Sequence, residues 1–166
     1  MNLRNLLNYK LSYLVSAIIL VLDRITKIAA EENLVLNHAI PMVKFFNLTL
    51  VYNKGAAFGM FGGLPDDLRR FILVVVSIVA LLVVGYVIVR EFSSTDKWAM
   101  SALGLILGGA IGNIYDRMLY DYVIDFLDFY AGRYHWPAFN IADSAICIGV
   151  FILIMRSVQI TKRRKT

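Results

Sequence analysis

The run LRRFILVVVSIVALLVVGYVIVR, from Leu68 to Arg90, decides the fold. It carries no charge between Phe71 and Val89, and about 20 helical residues suffice to cross a hydrocarbon core. Its many β-branched residues do not make it a strand, since strands seldom exceed about 10 residues. Working outward, three more apolar runs follow the same logic, at about 11–30, 98–115 and 139–160. The 166 residues are 59% hydrophobic and 17% charged, with mean hydropathy +0.67, whereas soluble domains are about 45–50% apolar and about a quarter charged. The sequence therefore predicts an all-α membrane protein. It has four transmembrane helices in a single domain over 1–166, with connecting loops at about 31–67 and 116–138 and no internal repeat.

The first run has a basic approach (Arg4, Lys10) and ends in Ala29-Ala30, the outline of a cleavable signal peptide. Asp23, Arg24 and Lys27 interrupt its far end, so a retained helix is expected. Glycines 104, 108, 109 and 112 in the third run have the small-xxx-small spacing that lets helices approach closely in lipid. Placing both termini in the cytoplasm gathers Arg4, Lys10, Arg90, Lys97 and Lys162–Lys165 on the inner side. Arg69 and Arg70 oppose this orientation but lie beside Asp66 and Asp67. The net charge of +5 is concentrated after an apolar helix, as in a headgroup anchor, and no nucleic-acid partner is expected. In the first outer loop, Phe46, Leu48, Leu50 and Tyr52 alternate with Asn47, Thr49, Val51 and Asn53, which predicts a small β element on the membrane surface. Cys147, the single cysteine, reads as an apolar filler.

An ionisable group within a span costs at least about 2.5–3.5 kcal/mol at the bilayer centre, so its presence points to function. Three places qualify: Asp23, Arg24 and Lys27; Asp116 and Arg117 after Asn113; and Asn140 with Asp143. Asp23 and Lys27, four apart, suit either a local ion pair or a role facing substrate. Asn140 and Asp143 also suit the start of a helix. Among Asp121, Asp125 and Asp128, the apolar neighbours of Asp125 draw it inward, while the other two are expected to face water. A turn around Gly132–Pro137 can return the chain so that Asp125 meets Asp143. Two adjacent carboxylates at low dielectric share one proton, and such a pair can activate water against a carbonyl. His38 and His135 lack metal-site spacing, no phosphate-binding loop is present, and neither metal nor cofactor is expected. Intramembrane carboxylates also suit a proton-coupled transport component, the alternative to an enzyme.

Five segments together resemble the bacterial signal peptidase II family: Asp23–Lys27, Tyr52–Phe58, Gly108–Arg117, Val123–Phe126 and Phe139–Ser144. The resemblance implies a multi-pass aspartyl endopeptidase of the bacterial cytoplasmic (inner) membrane. Its substrate would be a prolipoprotein bearing a diacylglyceryl group, cut just before the lipid-modified cysteine. It places catalytic roles on Asp125 and Asp143, and substrate-binding or supporting roles on Asp23, Lys27, Asn53, Gly55, Asn113, Arg117 and Asn140. It further implies membrane lipid as a partner, inhibition by globomycin, and a monomer. Arg24 departs from the glutamine expected after the first-helix aspartate. The strand from Phe46 to Phe58 is expected to form a lip over the site.

Overall fold

The computed structural model describes residues 3–55, 65–91 and 96–165. Four helices, α1 (Leu3–Asn33), α2 (Asp66–Glu91), α3 (Lys97–Tyr120) and α4 (Ile141–Lys165), carry a small antiparallel sheet. Its strands β1 (Ala39–Val43), β2 (Phe46–Asn53), β3 (Val123–Ala131) and β4 (Tyr134–His135) are ordered β1-β2-β3-β4. The chain is thus mostly helical but not all-α. Among the described residues, three helices are long and apolar enough to cross a membrane, over Asp66–Val87, Lys97–Tyr120 and Ile141–Lys162.

The helices depart from their expected limits: α1, α2 and α3 run past both ends, while α4 starts later, at Ile141, and runs on to Lys165. Asp96 caps α3 by accepting from the N–H groups of Trp98 (3.1 Å) and Ala99 (3.2 Å). The helix continues to Tyr120 and stops at Asp121 in the left-handed region, φ 64°. Asp116 therefore belongs to a helix rather than to the 116–138 loop. At the start of α2, Asp66 and Asp67 favour the positive helix end and pair with Arg69 and Arg70.

The third helix is the hub, and its glycines explain why. A methyl group on Gly108 would sit 2.7 Å from the carbonyl oxygen of Ser16 on α1. One on Gly109 would sit 2.3 Å from that of Ala142 on α4. Backbones at such range leave no room for a side chain. Much of the outer helix surface is apolar and exposed, Phe71 by 65% and Leu82 by 68%, as lipid-facing residues are.

Residues 121–138 are organised around β3, whose buried run from Val123 to Phe126 lacks the alternation that marks a half-buried strand. It pairs with β2 from Phe46↔Phe129 to Asn53↔Val123. Leu50, Ile124 and Phe126 pack with Ala30 where the sheet meets α1. Gly132, at φ 63°, turns the chain into β4, after which Phe139 bridges back to Leu127. Two expectations need correcting. Asp128 does not face water: it is 6% exposed, because it lies opposite Asn47 and accepts from its Nδ2 at 2.9 Å. Cys147 is not an interior filler but exposed on α4.

Candidate active site

Strand β3 delivers Asp125 and the first turn of α4 delivers Asp143, and both line one cavity of about 820 Å³. Asp125 is 1% exposed. Its Oδ2 accepts from Asn53 Nδ2 at 2.9 Å and its Oδ1 from Asn140 Nδ2 at 2.7 Å. The Asn53 amide is oriented in turn by the Gly55 N–H, which donates to its Oδ1 at 3.0 Å. Asp143 accepts from Asn113 Nδ2 at 2.7 Å. Asn140 serves both readings offered by its position. It caps α4, accepting from the Asp143 N–H at 2.9 Å, and its other end donates to Asp125. One amide thereby fixes both acidic residues.

Burial, and then the nearby Asp143 charge, push the Asp125 carboxyl up to about 7, against the lowering effect of the Asn53 and Asn140 bonds. Arg117 lines the same cavity; its Nη1 donates to the Asn113 carbonyl at 3.4 Å, and its Nε is buried without a hydrogen-bond partner. Opposite β2, the wall is the segment Trp136–Phe139, held to β3 by the Phe139 carbonyl, which accepts from Phe126 and Leu127. Cys147 and Ser144 complete the α4 side.

Asp23 and Lys27 do not line this cavity. They form a buried ion pair, with Lys27 Nζ 2.7 Å from Asp23 and 2.8 Å from Asp116. The same ammonium donates to Asn113 Oδ1 at 3.2 Å, which joins this cluster to the Asp143 site. Asp23 also accepts from the Ala142 N–H at 2.9 Å, so it steadies the helix turn that bears Asp143. A Cβ on Gly112 would come within 2.6 Å of the Asp23 carboxylate. Both residues therefore meet the cavity residues only through neighbours, Lys27 through Asn113 and Asp23 through the Ala142 backbone.

Asp116, singled out in the sequence as a charge costly to bury, accepts from the Ile124 N–H at 3.3 Å, directly before Asp125. Two further arrangements were hidden from sequence reasoning. The Trp136–Phe139 wall depends on a hairpin that spacing could not specify. His135 pairs with Asp128 at 2.9 Å, on the sheet outside the cavity. The residues after Gly55 in the Tyr52–Phe58 motif, and with them the far part of the expected lip, lie outside the described residues. Among the described residues no group of three or more His, Cys, Asp or Glu side chains is arranged to hold a metal.

The chain is similar to known proteins over most of its length. The family model described as signal peptidase (SPase) II matches residues 15–159. The chain is 47% identical over 148 residues to a lipoprotein signal peptidase of Maridesulfovibrio salexigens, spanning 89% of this chain and 94% of that one. It is 45% identical over 160 residues to that of Francisella tularensis subsp. novicida, spanning 96% and 99%. A bacterial membrane enzyme solved at 2.3 Å resolution superposes with a TM-score of 0.78 at 28% identity, covering 92% of this chain and 90% of its own. By sequence and by extent of match, the chain belongs to the signal peptidase II family.

Proposed function

We propose that this chain is a membrane aspartic endopeptidase that removes the signal peptide from diacylglyceryl-modified prolipoproteins, using Asp125 and Asp143 as its catalytic pair. The observation that carries the reading is the shared cavity, into which the buried Asp125 and the half-buried Asp143 carboxylates are held by neutral amides. A peptidase without a covalent step needs one carboxylate to take a proton and one to give it. Asp125, shifted to about 7, holds the shared proton near neutrality. As water attacks the scissile carbonyl carbon, its proton passes to Asp143 and the Asp125 proton passes to the carbonyl oxygen. Collapse of the resulting diol breaks the C–N bond, with the Asp143 proton moving to the departing amine and a diol proton returning to Asp125. Atoms and charge balance over the cycle. Asn53, Gly55, Asn113 and Asn140 hold the pair, Arg117 offsets its charge, and Asp23 with Lys27 steadies the supporting helices.

In this reading α1 is a fourth crossing and residues 1–166 form one membrane domain. Both termini are cytoplasmic, in the inner membrane of a bacterium, and the sheet lies at the opposite face. A lipid-bearing substrate approaches laterally from the bilayer, which accounts for a cavity between helices and sheet. Globomycin would occupy the same cavity, and the monomer is the functional unit. The transport alternative needs a polar path across the membrane. In the described span of α2, Ser77 is instead spent on the Leu73 carbonyl at 2.8 Å. The test is to incubate purified protein with a diacylglyceryl-modified prolipoprotein and with its unmodified precursor, and read the products by mass spectrometry. Cleavage before the lipid-bearing cysteine, of the modified form alone, is expected. No cleavage, or equal cleavage of both forms, contradicts the proposal.

A further inference from the structure

Arg24 reaches Asp125 by two separate routes. Along the first, its Nη1 lies 3.2 Å from Asp116, and Asp116 accepts from the backbone N–H of Ile124, the residue before Asp125. Along the second, its Nη2 donates to the Tyr120 hydroxyl at 2.9 Å, and its guanidinium lies 5.3 Å from that ring and 5.4 Å from the ring of Tyr115. Tyr120 stacks on Tyr122 at 5.9 Å, and Tyr122 on Tyr52 at 4.2 Å. Tyr52 precedes Asn53, whose amide donates to Asp125. One side chain therefore braces both the strand that carries Asp125 and the strand that supplies its hydrogen-bond donor.

We propose that Arg24 is a positioning residue for Asp125, setting both the placement of its carboxylate and the local charge it meets; this rests on the peptidase function proposed above. The charge count explains why a cation sits there. Asp23 and Asp116 are both buried, and Lys27 touches both. Without Arg24 one ammonium would serve two carboxylates and leave a net negative charge beside β3. With it, the cluster holds two anions and two cations. Among the described residues, the charged groups around Asp125 are Asp143 on α4, Arg117 and Asp116 on α3, Lys27 on α1, and Lys54, which follows β2 and lines the same cavity. An extra negative charge among them holds the Asp125 proton more tightly. Glutamine keeps a donor at this place but loses the charge and the grip on two aromatic faces, whereas lysine keeps the charge but not the planar fork that meets Asp116 and Tyr120 together.

The test compares Arg24→Gln and Arg24→Lys with wild type in two measurements. The first is the pH profile of kcat and KM on a diacylglyceryl-modified prolipoprotein. The second is carbon-13 NMR titration of the Asp125 carboxyl in detergent-solubilised protein, which needs no turnover. For Arg24→Gln the expected result is a kcat lower by about three- to tenfold with KM within about twofold. The alkaline limb and the Asp125 titration both move up by roughly half a pH unit. Arg24→Lys returns the titration to the wild-type position while kcat stays reduced. A titration unmoved in Arg24→Gln overturns the inference, even if the melting temperature falls. Failure of wild type to cleave would instead overturn the peptidase reading, and the titration alone would then decide the role of Arg24.

Discussion

Two buried polar clusters meet at α3, one on each side of Asn113, and they are built on opposite principles. In the first, Asp23 and Asp116 are matched by Lys27 and Arg24 in direct ion pairs. In the second, Asp125 and Asp143 receive hydrogen bonds from Asn53, Asn113 and Asn140, all of them neutral. An ion pair fixes a carboxylate in its charged form. An amide orients it and leaves it free to gain or lose a proton. The first cluster is suited to holding helices together in a medium where a lone charge is costly. The second is suited to moving protons.

The largest effects should come from breaking the second cluster at its centre. Asp125→Asn and Asp143→Asn are each expected to lower prolipoprotein cleavage by about 10³-fold or more, with melting temperature changed by only a few degrees. Equal activity in either variant would dissolve the contrast between the clusters. The first cluster should respond the other way round. Lys27→Met strands the buried Asp23 carboxylate and leaves Asp116 with Arg24 alone, a loss of about 3–5 kcal/mol, so calorimetry should show a destabilised protein rather than a stable, inactive one.

Asn140, which caps α4 and also holds Asp125, sharpens the comparison. Asn140→Ala is expected to reduce kcat by about 10–100-fold, as for loss of a preorganised donor, and stability by about 1 kcal/mol for the lost cap. The smallest effect belongs to Asp128, on the sheet away from the cavity. Burial works to raise its pKa, but the Asn47 and His135 hydrogen bonds outweigh it and hold the carboxyl below the usual range. A carboxyl lowered in the folded state stabilises the protein above its unfolded pKa, and loses that contribution as pH falls through the folded value. Asp128→Asn should therefore cost stability at neutral pH and converge with wild type below about pH 4, with activity within about twofold throughout.

Much of this was legible in the chain. The Leu68–Arg90 run announced a membrane helix, the cost of burying charge marked Asp143 together with Asp23, Arg24, Lys27, Asp116 and Arg117, and apolar neighbours drew Asp125 inward. The glycine spacing of α3 likewise announced close contacts. What was not legible depended on pairing between distant segments. β3 is buried from Val123 to Phe126, so the period-two alternation that exposed β2 was missing there. Asp128 looked like a surface residue because its partner Asn47 lies 81 positions away. The same holds for Arg24, whose partners Asp116 and Tyr120 are on another helix. Local composition indicates which groups are expensive to bury, and only the fold shows which group compensates each one.

The central claim is that Asp125 and Asp143 work as a pair sharing one proton. The most direct measurement is the pH profile of kcat/KM for the wild-type protein on a diacylglyceryl-modified prolipoprotein, from pH 4 to 9. Below the first ionisation both acids are protonated and no base is available; above the second, no proton can be given. The account predicts a bell whose alkaline side falls as pH rises through about 7, where Asp125 loses its proton. A rate that stays flat from pH 6 to 9 would contradict it.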